Sequence, residues 1–213
     1  MNIIYIYYSK FNQQLPDYLF YQYIAQLPTS LQEKNLRYRR WQDRHSHLFG
    51  KLLLIAGLKN YGYADDILNS IKYNQYSRPF IDGNIDFNIS HSGEYVLFAI
   101  GEDLRIGIDV EEIKDINFDD FEKVMTKEQW QEISLSQDPV RAFFDYWTIK
   151  ESVIKADSRG LSIPLLDILV NQNNVRYDKQ TWYLNSLNLG KNYSAYLTTN
   201  KKDVTINTEY LDF

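Results

Sequence analysis

Glu151 and Lys155 are a pair of residues whose types and spacing suggest chemistry. Apolar residues recur at helical spacing from Ala142 to Lys155, which predicts an amphipathic helix with a broad buried stripe. An acid and a base one helical turn apart then lie together at the border between core and solvent. Such a pair suits the wall of an active site, but it is also common as a stabilising pair on exposed helices. The helix alone leaves both interpretations open.

A second pair of acids lies on a strand predicted from Arg105 to Glu111. Its apolar residues alternate along the chain, so Asp109 and Glu111 project from the opposite face. Paired carboxylates in a chain without Cys suit a hard cation such as Mg²⁺. The same pattern also fits a sheet face that carries acids toward solvent.

Two further segments suggest anion binding. From Glu33 to Lys51 the chain has six Lys or Arg against two acids, and a long helix is predicted from about Asp43 to Lys59. The segment Asn88–Gly93, with two serines, a His and a Gly, is predicted to be a turn whose backbone N–H groups approach a phosphate. A solvated basic face is the more common explanation of the first segment, and an ordinary hairpin connection explains the second equally well.

The composition limits the class of protein. The 213 residues, 44% of them hydrophobic and 24% charged, are typical of a folded globular chain. A net charge of -5 argues against general nucleic-acid binding. No apolar run reaches the roughly 20 residues that span a bilayer, and Met1–Tyr8 does not resemble a signal peptide, so we expect a cytoplasmic protein without a membrane partner. The absence of Cys excludes thiolate metal sites.

The order of predicted elements suggests an α+β fold. A strand, short helices, a long helix and further strands follow one another twice, which predicts two similar α/β halves related by a pseudo-twofold axis. We place the halves at residues 1–103 and 104–213 and expect a monomer. Ser30 and Glu33 predict a capping box for a helix in the first half. The basic first half and the acidic start of the second would meet in a cleft.

Three blocks of residues, taken together, resemble the signature of the 4'-phosphopantetheinyl transferases, specifically the two-half, surfactin-type class. The similarity extends from about Lys34 to Leu161. The blocks are Ser90-His91, then Gly107-x-Asp109-x-Glu111, then Trp147-x-x-Lys150-Glu151-Ser152-x-x-Lys155 followed by Gly160-Leu161.

This resemblance implies a pseudo-dimeric α+β fold, coenzyme A as donor, Mg²⁺ as cofactor and an apo acyl or peptidyl carrier protein as acceptor. It implies that Asp109, Glu111 and Glu151 bind the metal and that Lys155 contacts the coenzyme A pyrophosphate. Ser90 and His91 correspond to the family's phosphate contacts.

The nucleotide contacts match the family less completely. Arg78-Pro79 resembles a basic-Pro pair at the adenine end, and Lys34 and Arg37 resemble cations near the 3'-phosphate. Ser46 stands where the surfactin-type relative has an Arg, and Arg44 or His47 are possible substitutes. We expect Lys150, which falls within the apolar arc, to have a structural role.

The implied chemistry is attack of a carrier serine on the β-phosphorus with release of 3',5'-ADP. Lys155 and His91 would share the developing charge, Asp109 would bind the metal, and Glu151 is the first candidate for the base, with Glu111 second.

Two alternatives remain at this stage. A non-catalytic module that binds coenzyme A or a carrier protein would share the fold, but would be expected to lack an acid or Lys155. A different Mg²⁺-dependent phosphoryl-transfer enzyme would be expected to carry a glycine-rich phosphate loop, and no GxxxxGK[ST] run occurs in the sequence.

Overall fold

A computed structural model describes residues 2–213, so that Met1 lies outside it. Within this range the chain forms five α-helices and eleven β-strands. The helices are α1 Asp17–Ile24, α2 Thr29–Leu36, α3 Trp41–Lys59, α4 Lys127–Leu135 and α5 Pro139–Asp157. The strands are β1 Asn2–Lys10, β2 Lys72–Tyr73, β3 Pro79–Phe80, β4 Ile85–Ser92, β5 Tyr95–Glu102, β6 Ile106–Glu112, β7 Leu169–Asn171, β8 Asn174–Tyr177, β9 Gln180–Ser186, β10 Tyr193–Thr199 and β11 Val204–Tyr210.

Two main sheets face each other, and a long helix covers each outer face. The first sheet has the order β11-β1-β5-β4 and the second β6-β10-β9-β8-β7. Helix α3 packs on β5 and β1, and α5 packs on β6 and β10. Apolar side chains at alternate positions of the strands form the layer between the two sheets. In this layer Ile106, Ile108 and Val110 of β6 are at most 1% exposed. Burial of each such side chain contributes about 1.5–3 kcal/mol of transfer free energy. The mixed α and β architecture confirms the predicted fold class.

The edges of the two sheets are joined through side chains of β4. Backbone N–H groups of alternate β6 residues donate to four polar side chains at alternate positions of β4, and each pair is 20 residues apart in sequence. Because both residue numbers rise together, the two strands run parallel along this seam. The four pairs are Ile106 to Asp86 (2.7 Å), Ile108 to Asn88 (2.9 Å), Val110 to Ser90 (3.3 Å) and Glu112 to Ser92 (3.0 Å).

The predicted division at residues 103/104 falls in the connection between β5 and β6, and therefore between strands of different sheets. Both units contain the same strand order, β1-β5-β4 and β6-β10-β9, and a long helix of 19 residues. Strand β11, however, returns to the first sheet and pairs in parallel with β1. The pseudo-twofold axis and the two-half division stay predictions.

Several local predictions are confirmed and others are wrong. The long helix predicted from Asp43 to Lys59 is α3, which begins two residues earlier. The Ser30–Glu33 capping box is wrong, because α2 begins at Thr29 after Pro28 and has no side-chain cap. The turn predicted at Asn88–Gly93 is also wrong: β4 continues to Ser92, and the turn occupies only residues 93–94. No helix in residues 2–213 is both long and apolar enough to cross a bilayer.

Candidate active site

Strand β6 and helix α5 bring the predicted acids and Lys155 together. The two elements approach unusually closely at Gly107, where an added Cβ would lie 1.9 Å from the Ser152 carbonyl oxygen. Glycine is therefore required there for backbone contact. The next residues of the same β6 face are Asp109 and Glu111, so that both carboxylates project toward the Glu151 and Lys155 end of α5.

Asp109 is only 3% exposed, and its two oxygens have different surroundings. Lys155 Nζ donates to Oδ1 at 2.6 Å, and the Ser90 hydroxyl donates to the same oxygen at 2.9 Å. Oδ2 is buried and has no hydrogen-bond partner among the described residues. A buried carboxylate oxygen without a partner is costly, which marks it as a place where a cation or donor would be stabilised.

Glu111 is held by one donor on each oxygen. The Ser92 hydroxyl donates to Oε2 at 3.0 Å, and the indole N–H of Trp147 donates to Oε1 at 3.2 Å. Burial and the charge of Asp109 raise the pKa of Glu111, although these two hydrogen bonds oppose the rise. The carboxylate is thus fixed in orientation beside another negative charge.

Glu151 completes the group of acids from α5. Burial, followed by the charge of Asp109, raises the pKa of Glu151 to about 7, against a smaller opposing effect of Lys155. A carboxyl with this pKa can accept a proton at neutral pH, as a general base must.

The three acids fit a hard divalent cation in their chemistry. They offer only oxygen donors, the charge of Asp109 raises the pKa values of Glu111 and Glu151, and Asp109 Oδ2 has no hydrogen-bond partner among residues 2–213. Within residues 2–213, no three acidic or His side chains already stand in an arrangement that could hold a metal ion. In this structure the cation nearest to Asp109 is the Lys155 ammonium.

A cavity of about 490 Å³ lies beside α3, and its lining includes His91, the residue that follows Ser90 on β4. Its lining combines cations with apolar and aromatic surface, and Asp43 is the acid in it. Such a lining suits a planar base that carries phosphates. The lining residues are Lys34, Tyr38, Asp43, Ser46, His47, Gly50, Lys51, Tyr73, Pro79, Ile89 and His91.

Burial and neighbouring cations lower the pKa values of several groups at this cavity. Burial, then the charges of Lys51 and Lys34, lowers the pKa of His47 to about 4. Burial and Lys34 also lower the pKa of Lys51, while burial and then Lys155 lower the pKa of His91. An anion between these groups would relieve the repulsion that they exert on one another.

The structure separates the predicted nucleotide contacts. Lys34, His91 and Pro79 line the cavity, whereas Arg37 is 81% exposed and lies 4.0 Å from Glu33. Arg78 is buried below β4, where its Nη2 donates to Asp86 Oδ1 at 2.8 Å and to the Ile106 carbonyl oxygen at 2.8 Å. The guanidinium of Arg78 therefore joins the two sheets.

Ser90 and His91, both predicted to contact phosphate, have different surroundings in the structure. The Ser90 side chain lies on a strand and is directed at Asp109, while His91, the next residue, lines the cavity. Of the possible substitutes at Ser46, His47 lines the cavity and Arg44 donates to the Tyr38 carbonyl oxygen.

Lys150 is fully buried, and its ammonium donates to the carbonyl oxygens of Val124 and Leu165, which agrees with the predicted structural role.

Sequence reasoning did not identify Lys51 or Ser92 as part of the site. Lys51 belongs to the basic run from Glu33 to Lys51. The periodicity of the sequence does not show which basic residue of this run lines a cavity. A second cavity, of about 500 Å³, shares Asp43, Ser46 and His91 with the first and extends past Arg40 and Lys114. His91 thus lies where the two cavities meet.

Comparison with known proteins identifies the family of the chain. Residues 105–206 match the model of the 4'-phosphopantetheinyl transferase superfamily. A 4'-phosphopantetheinyl transferase named gsp, from Aneurinibacillus migulanus, is 34% identical over 67% of this chain and 60% of its own length. The 4'-phosphopantetheinyl transferase Sfp of Bacillus subtilis strain 168 is 31% identical over 62% of this chain and 61% of its own length.

A Haemophilus influenzae protein assigned to the same class is 33% identical over 74% of this chain and 69% of its own length. With that coverage, the chain belongs to the 4'-phosphopantetheinyl transferase superfamily. Its similarity to the Aneurinibacillus and Bacillus enzymes covers less than two thirds of their lengths.

Proposed function

We propose that this protein transfers the 4'-phosphopantetheine group of coenzyme A to a serine of an apo acyl or peptidyl carrier protein and releases 3',5'-ADP. The observation that carries the proposal is the group formed by Asp109, Glu111, Glu151 and Lys155 beside a cationic cavity. Membership of the superfamily supports the same reaction.

The cationic cavity would hold the nucleotide part of coenzyme A. Lys34, His47 and Lys51 supply donors to phosphate oxygens, and Tyr73 and Pro79 supply surface for the base. This assignment extends the predicted contacts by His47 and Lys51, in a region where Ser46 replaces the Arg of the relative. Arg37 and Arg78 remain weaker candidates because neither lines the cavity in the described part of the chain.

Asp109, Glu111 and Glu151 would hold Mg²⁺, which when bound neutralises charge on the pyrophosphate. Lys155 and His91 stabilise the charge that develops as the carrier serine oxygen bonds to the β-phosphorus and the bond to the 3',5'-ADP oxygen breaks. Glu151, which lies among these acids, takes the proton of the serine hydroxyl, directly or through a water. Glu111 is the second candidate.

We further propose that the protein acts as a cytoplasmic monomer with no nucleic-acid or membrane partner. Both long helices and both sheets come from a single chain, so the candidate site needs no second copy. The net charge of -5 disfavours nucleic acid as a partner.

The direct test is the intact mass of apo carrier proteins after incubation with this protein, coenzyme A and Mg²⁺. We expect a phosphopantetheine adduct on at least one of an acyl, a polyketide and a peptidyl carrier, and loss of the adduct with EDTA. No adduct on any of the three carriers would contradict the proposal and favour a binding module without turnover.

Asp109→Ala and Lys155→Ala should each abolish adduct formation in the same assay while the protein stays folded. The first removes a metal ligand and the second the ammonium that faces the pyrophosphate. Lys72→Ala is a suitable control, because Lys72 pairs with Asp82 on the exposed surface. Normal turnover of either variant, with an unchanged circular dichroism spectrum, would show that these roles are wrong.

A further inference from the structure

Ser90 and Ser92 of β4 face the two acids of β6 in the same way. Ser90 lies beside Asp109 and Val110, and Ser92 lies beside Glu111 and Glu112. In each case the serine oxygen contacts the carboxylate of one β6 residue and the backbone N–H of the next. The repeat follows from the parallel course of the two strands, since both advance by two residues per rung.

Counting hydrogens fixes the direction of these bonds. A serine hydroxyl has a single hydrogen to donate. The Ser92 oxygen accepts a hydrogen bond from the N–H of Glu112 at 3.0 Å, because a backbone N–H can only donate. The one hydrogen of Ser92 is therefore available to Glu111 Oε2 at 3.0 Å.

Ser90 is constrained further. Its oxygen accepts from the N–H of Val110 at 3.3 Å and from Lys155 Nζ at 3.0 Å, and its hydrogen goes to Asp109 Oδ1. Oδ1 is thus occupied by two donors, whereas Oδ2 has none among the described residues. The serine sets which oxygen of Asp109 is left for another ligand.

We propose that Ser90 and Ser92 are positioning residues that hold Asp109 and Glu111 in the orientation needed to bind a divalent cation. The proposal rests on the metal role of these acids in the proposed function. In this proposal β4 both orients the acids, through the two serines, and lines the nucleotide cavity, through His91 between them. One strand therefore sets the distance between the nucleotide contact and the cation ligands.

A purely structural role is the competing explanation, since both serines also join the two sheets. Asn88 provides a matched control for it. Its side-chain oxygen accepts from the N–H of Ile108 at 2.9 Å, in the next rung of the same seam. Among the hydrogen bonds of residues 2–213, Asn88 makes none to a carboxylate, so its loss removes a bond of the seam without touching the acids.

The experiment compares Ser92→Ala, Ser92→Thr and Asn88→Ala with the unmodified protein. Mn²⁺ binding is measured by electron paramagnetic resonance with and without coenzyme A, and stability by thermal unfolding. Ser92→Ala and Asn88→Ala should both lower the melting temperature. Only Ser92→Ala should also weaken Mn²⁺ binding, on the order of tenfold, because a charge-assisted hydrogen bond is lost. Ser92→Thr, which keeps the hydroxyl, should bind Mn²⁺ within about twofold of the unmodified protein.

Several results would overturn the inference. The inference is wrong if Ser92→Ala leaves Mn²⁺ binding unchanged, if Asn88→Ala weakens it equally, or if Ser92→Thr fails to restore it. It is also wrong if the unmodified protein binds no Mn²⁺ in the presence of coenzyme A. Failure of the proposed function is recognised separately, as absence of a carrier adduct. The serine inference stands in that case if Ser92→Ala alone weakens Mn²⁺ binding.

Discussion

The two ring nitrogens of His47 have different surroundings, and the difference defines its tautomer. The Asn35 side-chain amide donates to Nδ1 at 3.1 Å. In the neutral ring, Nε2 then carries the hydrogen, and this nitrogen is buried without a partner among the described residues. His47 thus offers an unused donor beside Lys34 and Lys51, which is the chemistry that a phosphate oxygen requires.

The low pKa of His47 predicts a loss of stability in acid. The folded pKa is about 4, below the ordinary value of 6.5, so the unfolded chain binds more protons between these pH values. The contribution of His47 is fully present above pH 6.5 and is lost as the pH falls toward 4. Urea unfolding at several pH values should show a steeper loss for the unmodified protein than for His47→Gln. His45 is retained in both proteins, so parallel curves would contradict the assigned pKa.

At the level of residues, the sequence was most informative where side-chain direction follows from a regular element. Alternation along β6 predicted that Asp109 and Glu111 share a face, and the structure has them so. The contribution of His47 and Lys51 could not be predicted in the same way. Their role depends on a cavity between α2, α3 and β4, which are brought together only by tertiary packing.

Each long helix rests on its sheet at a glycine, but the two contacts differ in kind. At Gly107 an added Cβ would meet backbone atoms of α5, including Ser152 O at 1.9 Å. At Gly57 of α3 it would meet the ring of Phe98, at 2.3 Å from Cε1. A side chain can turn aside more easily than a helix backbone can move.

Gly107→Ala should therefore be the more damaging of two otherwise similar substitutions. We expect it to reduce the free energy of unfolding by about 3 kcal/mol or more, at the upper end of the range for overpacking, and Gly57→Ala by about 1–3 kcal/mol. The first should also abolish carrier modification, because displacement of α5 separates Lys155 from Asp109. Denaturant unfolding and the mass assay measure both effects. Equal losses in the two variants would argue against this reading of the contacts.

Most helices and strands followed the apolar periodicity of the sequence, and the main error has a physical cause. Asn88, Ser90 and Ser92 were interpreted as turn residues because they are small and polar. They are polar because they bond to the N–H groups at the edge of another sheet. A strand that joins a second sheet through its side chains lacks the composition of an ordinary strand.

For the molecule as a whole, the pairing of β11 with β1 is the main feature that local patterns did not predict. The register joins Asn2 to Val204 and Tyr8 to Tyr210. The pairing joins strands about 200 residues apart in sequence, and no short-range signal encodes it.

Deletion of residues 203–213 should expose one edge of β1 without removing the second sheet. Hydrogen exchange should then show loss of protection in β1, while β10 remains protected. The double variant Leu211→Ala with Phe213→Ala is the control, since both side chains pack on the first core and their loss leaves β11 in place. Retained protection of β1 in the deletion variant would contradict the importance of the pairing.

The order of synthesis gives the β1–β11 pairing a further consequence. On the ribosome, β1 emerges before β5, and β11 follows β1 about 200 residues later. The antiparallel partner β5 becomes available midway, so that β1 has one neighbour but an open edge while the second sheet is being made. Open strand edges are the surfaces at which nascent chains associate wrongly, and β1 is rich in Ile and Tyr. One edge of β1 therefore stays open to such association until β11 has been synthesised.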